Sequence, residues 1–321
     1  MRLKRILELS PWIEFFVRSL YWRTPWVHSL LGRFAKTFYH GKSRGVARGH
    51  IDFGQVEAFL REQGVRSGDI LIVHSTIDAL KPCGLSPKQI IDRLFALVGE
   101  EGTLAMPAIP YFREEPVGIG RMSDAICSTT LTYDVQKTRT WTGALPAQMM
   151  RDPRAIRSRH PLNTMVAIGR HAAELMENNI DGHLPTGCGP NSSWKYSVDH
   201  NAKIVALGAD MAHSLTMIHV AEDSYEAAWP VSDWYRLRKF EIIDRDFRRA
   251  ISVRERRPKW AIHYGERTLQ RELRNLGIMS SCEIESLHIE FLESSRLLEF
   301  LNSRKPSAYP YFGVTTNPPT R

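Results

Sequence analysis

One stretch of this chain sets an imidazole where it could move a proton. His160 is preceded by Arg157-Ser158-Arg159 and followed by Pro161, which places it in a loop rather than inside a helix. An amine is mostly ammonium at neutral pH and becomes a nucleophile only after losing a proton. A base with a pKa near the working pH is therefore needed, and imidazole supplies one. His219 lies three residues before Glu222, a spacing that puts both on one helix face, where the carboxylate can orient an imidazole or hold a cation. Asp223, Glu114 and Glu115 are rival carboxylates. His74-Ser75-Thr76 follows the apolar run Ile70–Val73, and hydroxyls and exposed N–H groups at a strand-to-helix turn suit phosphate groups. Two other chemistries have residues of the right type. Cys188, in Thr186-Gly-Cys-Gly-Pro190, could be an acylated nucleophile. His213, His219 and Asp223 could approach a metal, but they do not form His-Glu-x-x-His, and no metal is expected.

Alternating strands and helices must position these groups. Phe53–Gln63 reads as a helix, Ile70–Val73 as a buried strand, and Ser86-Pro87 as the cap and first turn of a helix reaching Val98. Thr103–Pro107 reads as the next strand, completing a parallel α/β unit. The pattern recurs with strands at Met165–Ile168 and Ile204–Leu207 and helices at His171–Asn178 and Leu215–Glu226. Farther on, a strand is expected at Lys239–Asp244 and helices around Thr268–Leu276 and Ile284–Leu301. The fold class is α/β, with a mixed, largely parallel sheet and flanking helices, preceded by a helical N-terminal extension.

The net charge of +8 is local to that extension. Residues 1–48 hold ten Lys or Arg against Glu8 and Glu14, so the other residues are balanced. A balanced body argues against nucleic acid as a partner. Within residues 1–40, Trp12, Phe15, Phe16, Tyr21, Trp22, Trp26, Phe34, Phe38 and Tyr39 interleave with the basic residues. Such a mixture serves either peripheral contact with an anionic membrane or docking on the main domain or a second subunit, so a homo-oligomer stays open. Gly41–Gly49 reads as a linker. Four dispersed cysteines form no disulfide framework and fit a reducing cytoplasm. No run is long and apolar enough to cross a bilayer.

Four segments in order, Gly68–Thr76, Thr140–Ala144, Arg157–Gly169 and Leu207–Glu222, resemble the aminoglycoside 3-N-acetyltransferase family over about residues 52–230. The most specific is His-Pro-x-x-Ser/Thr-x-x-Ala-x-Gly, here His160–Gly169. The resemblance implies the antibiotic acetyltransferase fold and direct acyl transfer from acetyl-CoA, as co-substrate, to an amine. It implies His160 as general base, Glu222 as a carboxylate that either orients an imidazole or holds the acceptor ammonium, and Thr164 as a hydroxyl donor toward the thioester oxygen. CoA contacts are implied for His74, Ser75, Thr76, Lys81, Cys83, Gly84, Thr142 and Gly143. Residues 1–48 then form the basic aromatic extension and linker, 49–304 the acetyltransferase-like domain with a C-terminal embellishment over 231–304, and 305–321 an extended tail.

One departure bears on the acceptor. Aminoglycosides are polycations and call for an acidic surface, whereas Arg236, Arg238, Arg245, Arg248, Arg249, Arg254, Arg256 and Arg257 crowd one segment. Guanidinium density suits phosphate or carboxylate. The expected acceptor is therefore an amino sugar on an anionic handle, such as a nucleotide sugar or lipid-linked surface glycan. Aminoglycoside acetylation, glycan O-acetylation and a membrane-peripheral scaffold without catalysis are the alternatives.

Overall fold

The computed structural model describes residues 9–23, 50–116, 118–224 and 229–316. Readings that fall on residues 1–8, 24–49 and 317–321, the Gly41–Gly49 linker among them, lie outside the described residues. The first half of the chain forms α1 (Pro11–Arg23), α2 (Phe53–Glu62), β1 (Ile70–Ser75), α3 (Pro87–Val98), β2 (Thr103–Pro107), β3 (Thr130–Asp134), α4 (Ala144–Met149), β4 (Ile156–Arg157) and β5 (Met165–Gly169). The second half forms α5 (Ala172–Glu177), α6 (Ser193–Asp199), β6 (Lys203–Leu207), the single turn α7 (Val220–Asp223), β7 (Tyr235–Asp244), β8 (Phe247–Arg256), α8 (Glu266–Asn275), β9 (Met279–Ile284), β10 (Leu287–Glu293) and α9 (Ser294–Arg304).

The apolar run of β1 is buried on both faces, as a central strand requires. Ile70 and Ile72 join one core with Trp194, Leu269 and Leu297, while Leu71 and Val73 join another with Leu60, Ile90 and Leu94. The large sheet runs β4-β5-β2-β1-β6-β10-β9. Only β1 with β2 and β1 with β6 pair in parallel; the four outer pairings are antiparallel. The sheet is thus mixed as expected, but parallel only at its centre. Gly169 ends β5 at φ 118°, and a Cβ there would lie 2.2 Å from the Gly102 carbonyl oxygen, so the last residue of the His160–Gly169 element is held to glycine by strand packing. Helix α3 starts as read: Ser86 and Gln89 form a reciprocal capping box and Pro87 follows the cap.

The C-terminal third is woven into this sheet. The expected helix over Ile284–Leu301 is strand β10 followed by α9. Leu287, Ile289 and Phe291 alternate with His288 and Glu290, a period of two that a following helical run masks. Of the expected helix Leu215–Glu226, residues 225–226 lie outside the described residues, and the rest is a 3-10 turn, Thr216–His219, leading into α7. The C-terminal segment is not extended throughout: Lys305–Ser307 is a 3-10 turn, and Tyr309 and Tyr311 are buried. A second sheet, β3-β7-β8, has its own core of Leu131, Tyr133, Phe240, Ile242 and Val253. Helix α1 docks on the body. Arg18 pairs with Glu266 at 2.5 Å and donates to the Ala261 carbonyl, the Glu14 carboxylate accepts from the Arg267 N–H, and Phe15 packs on His263.

Candidate active site

The carboxyl ends of parallel β1, β2 and β6 form the edge at which an open α/β sheet exposes backbone for ligands. Ser75 ends β1, and Thr76 N–H donates to the Leu207 carbonyl at the end of β6. Across this edge the Thr142 hydroxyl donates to the Pro107 carbonyl at 2.6 Å, and a Cβ on Gly143, whose φ is 120°, would lie 3.9 Å from the Ser75 carbonyl oxygen. The structure therefore brings Ser75, Thr76, Thr142 and Gly143 to one place. Lys81 is exposed and pairs with Asp78 at 2.6 Å, and Gly84, at φ 67°, has open space where a side chain would stand. Cys83 and His74 point inward. Cys83 joins the core, whereas the His74 ring stacks on Trp194, burial pushes its pKa down to about 4, and its buried Nε2 has no hydrogen-bond partner among the described residues.

Glu222 is 1% exposed and meets His219, whose Nδ1 lies 3.1 Å from its Oε1. Tyr311 donates its hydroxyl proton to the same carboxylate oxygen, and Arg256 donates to the Tyr311 oxygen. Burial pushes Glu222 toward the protonated form, but His219, Arg256 and the Tyr311 hydrogen bond outweigh it and hold the carboxyl below its usual range. Burial holds His219 below the usual imidazole range against the pull of Glu222. The resting pair is a neutral imidazole over an ionised carboxylate. With Nδ1–H donated to Glu222, the Nε2 lone pair is the basic site; this ring is 19% exposed and Nε2 makes no hydrogen bond among the described residues. Asp223 faces elsewhere, accepting from Tyr235 at 2.9 Å and from the Cys188 N–H at 3.0 Å, and burial with the nearby Glu222 charge pushes it up to about 7. Beside Tyr235 opens a cavity of about 200 Å³ lined by Trp229, Val231, Asp233 and Trp234.

His160 stands in a different setting. Its side chain is buried at 2% exposure, Nδ1 is engaged by the Leu162 backbone at 2.9 to 3.1 Å, and Nε2 faces the Pro185 carbonyl at 3.5 Å. In either tautomer both nitrogens face backbone, and burial pushes the pKa down to about 4. The Thr164 hydroxyl is spent on the His160 carbonyl at 2.6 Å, and Thr164 is fully buried. The same segment ties the two sheets together: Arg157 donates to the carbonyls of Ala108, Val135 and Thr138, and Tyr133 donates to the Ser158 carbonyl. None of the hydrogen bonds of His160 reaches Glu222. Cys188 is buried with its thiol pushed well up by burial and the Asp223 charge, the reverse of what an acylated nucleophile needs. Among the described residues no three His, Cys, Asp or Glu side chains converge as metal ligands. Glu115 binds Arg238, while Glu114 makes no ion pair among the described residues. Sequence reasoning had no means of finding Tyr311 or Arg256, which reach Glu222 from far along the chain.

A family model of aminoglycoside 3-N-acetyltransferases matches residues 72–304, well over half the chain. Among curated relatives, the chain is 32% identical over 173 residues to aminoglycoside N(3)-acetyltransferase III of Serratia marcescens, covering 52% of this chain and 62% of that one. It is 31% identical over 182 residues to enzyme IX of Micromonospora chalcea, covering 54% and 62%. The chain thus spans about three-fifths of the length of these relatives. Among solved structures, AAC-IIIb bound to CoASH superposes with a TM-score of 0.64 at 19% identity, covering 84% of this chain and 98% of that one. AAC(3)-IIb superposes at 0.63 with 23% identity, covering 83% and 100%. The matched residues take in β1 from Ile72 onward, the Thr142-Gly143 turn, the His160–Gly169 element and the His219–Glu222 pair, and the chain belongs to the aminoglycoside 3-N-acetyltransferase family.

Proposed function

We propose that the protein transfers an acetyl group from acetyl-CoA to an amino group of an aminoglycoside-type amino sugar, with His219 rather than His160 as the general base. The observation that carries this is a partly exposed neutral imidazole set on a buried ionised carboxylate in a chain of this family. His219 Nε2 takes the proton from the acceptor ammonium, and Glu222 steadies the imidazolium that forms. As the thioester C–S bond breaks, the imidazolium returns this proton to the departing thiolate, and the second proton shed by the nitrogen as the amide forms leaves to solvent, so the base ends the cycle as it began. Ser75, Thr76, Lys81, Gly84, Thr142 and Gly143 would hold acetyl-CoA, whose thioester supplies the activated carbonyl; the open space at Gly84 and the approach of Gly143 to Ser75 fit such a ligand. Thr164 and Cys83 have no free group to offer it.

The anionic-handle acceptor loses its support. Six of the eight arginines already have partners: Arg236 and Arg238 bind Glu255, Arg248 binds Glu241, Arg254 donates to the Leu184 carbonyl, Arg256 to Tyr311 and Arg257 to Asp124. Their positive charge is neutralised within the fold or spent on the site itself. The aromatic, basic N-terminal segment adds peripheral contact with a membrane to this reading.

The test follows CoA release from acetyl-CoA with a thiol reagent, using aminoglycosides, nucleotide-linked amino sugars and sugars without an amine. Turnover confined to aminoglycosides is expected. Turnover confined to nucleotide-linked sugars would reinstate the anionic acceptor, and turnover of amine-free sugars would make the reaction O-acetylation.

A further inference from the structure

The docking of α1 leaves a side that the body does not use. Residues on a helix advance by about 100° each. Glu14, Phe15 and Arg18 therefore lie on the side that meets Arg267, His263 and Glu266. Within α1, Trp12, Phe16 and Leu20 fall within one arc on the other side and are 57%, 66% and 45% exposed, one edge of the Trp12 ring reaching Gly313. Three large apolar side chains aligned along two turns, with the exposed Leu9 just before the helix, form a stripe rather than scattered exposure, and such a stripe marks an interaction surface. Ile119, 52% exposed, lies in a turn packed near α1 and extends the apolar ground.

The charge around this stripe selects its partner. Arg2, Lys4 and Arg5 precede Leu9 in sequence, and Arg23, Arg33, Lys36, Lys42, Arg44 and Arg48 follow Leu20, with Glu8 the only acidic residue among them. Glu14, the other acid of residues 1–48, is spent on Arg18 and Arg267. A helix with Trp, Phe and Leu outward and cations at both ends matches a lipid surface bearing negative headgroups. We propose that the Trp12-Phe16-Leu20 stripe of α1 lies in the interface of an anionic membrane, while its Glu14-Arg18 side stays docked on the enzyme. This rests on the membrane-peripheral reading above and assigns it to one face of one helix. The docked side fixes the helix rigidly to the catalytic body, so the enzyme would sit on the lipid in one orientation.

The test uses the full chain and a full-length Phe16→Glu/Leu20→Glu variant, sedimented with vesicles of phosphatidylcholine alone or mixed with phosphatidylglycerol. Both positions are exposed and far from His219 in the chain, so acetyl transfer and melting temperature serve as controls for folding. Expected is binding of the native chain to the anionic vesicles only, weakened by added salt, with partitioning of the variant at least about tenfold lower. No binding of the native chain to either vesicle would overturn the membrane reading itself. Equal binding of native chain and variant would leave that reading standing and overturn the stripe. A native dimer that the variant breaks, without vesicle binding, would show that a second copy covers this face and overturn the proposal.

Discussion

At the scale of single residues, the chemistry is decided by what surrounds each imidazole. His160 and His219 are both buried enough to favour the neutral form. A base must also present a lone pair to the acceptor, and of these two His219 combines a carboxylate at Nδ1 with an Nε2 that makes no hydrogen bond among the described residues. Tyr311 lies outside the matched family region and acts as a positioning residue, holding Glu222 between itself and His219. Tyr311→Phe removes one hydrogen bond to a charged group, worth roughly 1.4 kcal/mol, so kcat should fall about tenfold with KM little changed. The pH profile separates this from a general loss of packing. In the native protein His219 titrates below the usual imidazole range, so the acid limb of kcat/KM should lie below that range. Without the Tyr311 hydrogen bond, Glu222 protonates at higher pH and the limb should move upward. A variant that lost rate with an unmoved profile would make Tyr311 merely structural.

At the scale of elements, the His160 segment works as a junction. Arg157 and Ser158, beside His160, connect the ends of β2, β3 and β5 through buried hydrogen bonds, a packing role that stands beside the motif's sequence signal. Burial lowers the folded-state pKa of His160 to about 4 from 6.5. A depressed histidine contributes stability above its unfolded pKa and loses it as pH falls from 6.5 toward 4. Relative to His160→Gln, the native protein should therefore lose on the order of 2 kcal/mol more stability between pH 6.5 and 5, measured by urea unfolding. Equal pH dependence in the two would contradict the buried neutral ring. The sequence was legible where periodicity was clean, at Ile70–Val73, at the Ser86 capping box and at Thr103–Pro107. It misled at β10, where a short alternating strand runs directly into α9, and at residues 215–224, where apolar residues at helical spacing make two short turns among the described residues. In the site, His219 and Glu222 were legible as a pair because they are local. The sequence motif points to His160 as the base; the burial and backbone partners on which the proposal for His219 rests belong to the fold and are not legible in the motif.

At the scale of the whole molecule, the balanced charge of residues 49–321 is organised as pairs. Arginines that look like an anion site in sequence neutralise Glu115, Glu241, Glu255 and Asp124 across the small sheet. What remains of the excess charge belongs to the N-terminal segment, so the two ends of the chain carry different tasks. One end offers an apolar helix face with flanking cations, and the other delivers Tyr311 to the site. The large sheet joins them, since its parallel centre presents Ser75 and its antiparallel flank seats α8, on which α1 docks. The most direct test of the central claim is kcat/KM for acetyl transfer to an aminoglycoside by His219→Gln and His160→Gln, each normalised to folded protein. His219→Gln should lose on the order of 10² to 10⁴ in rate while retaining a CoA-induced rise in melting temperature, and His160→Gln should stay within about tenfold of the native protein. Loss of turnover in folded His160→Gln, with His219→Gln active, would contradict that claim.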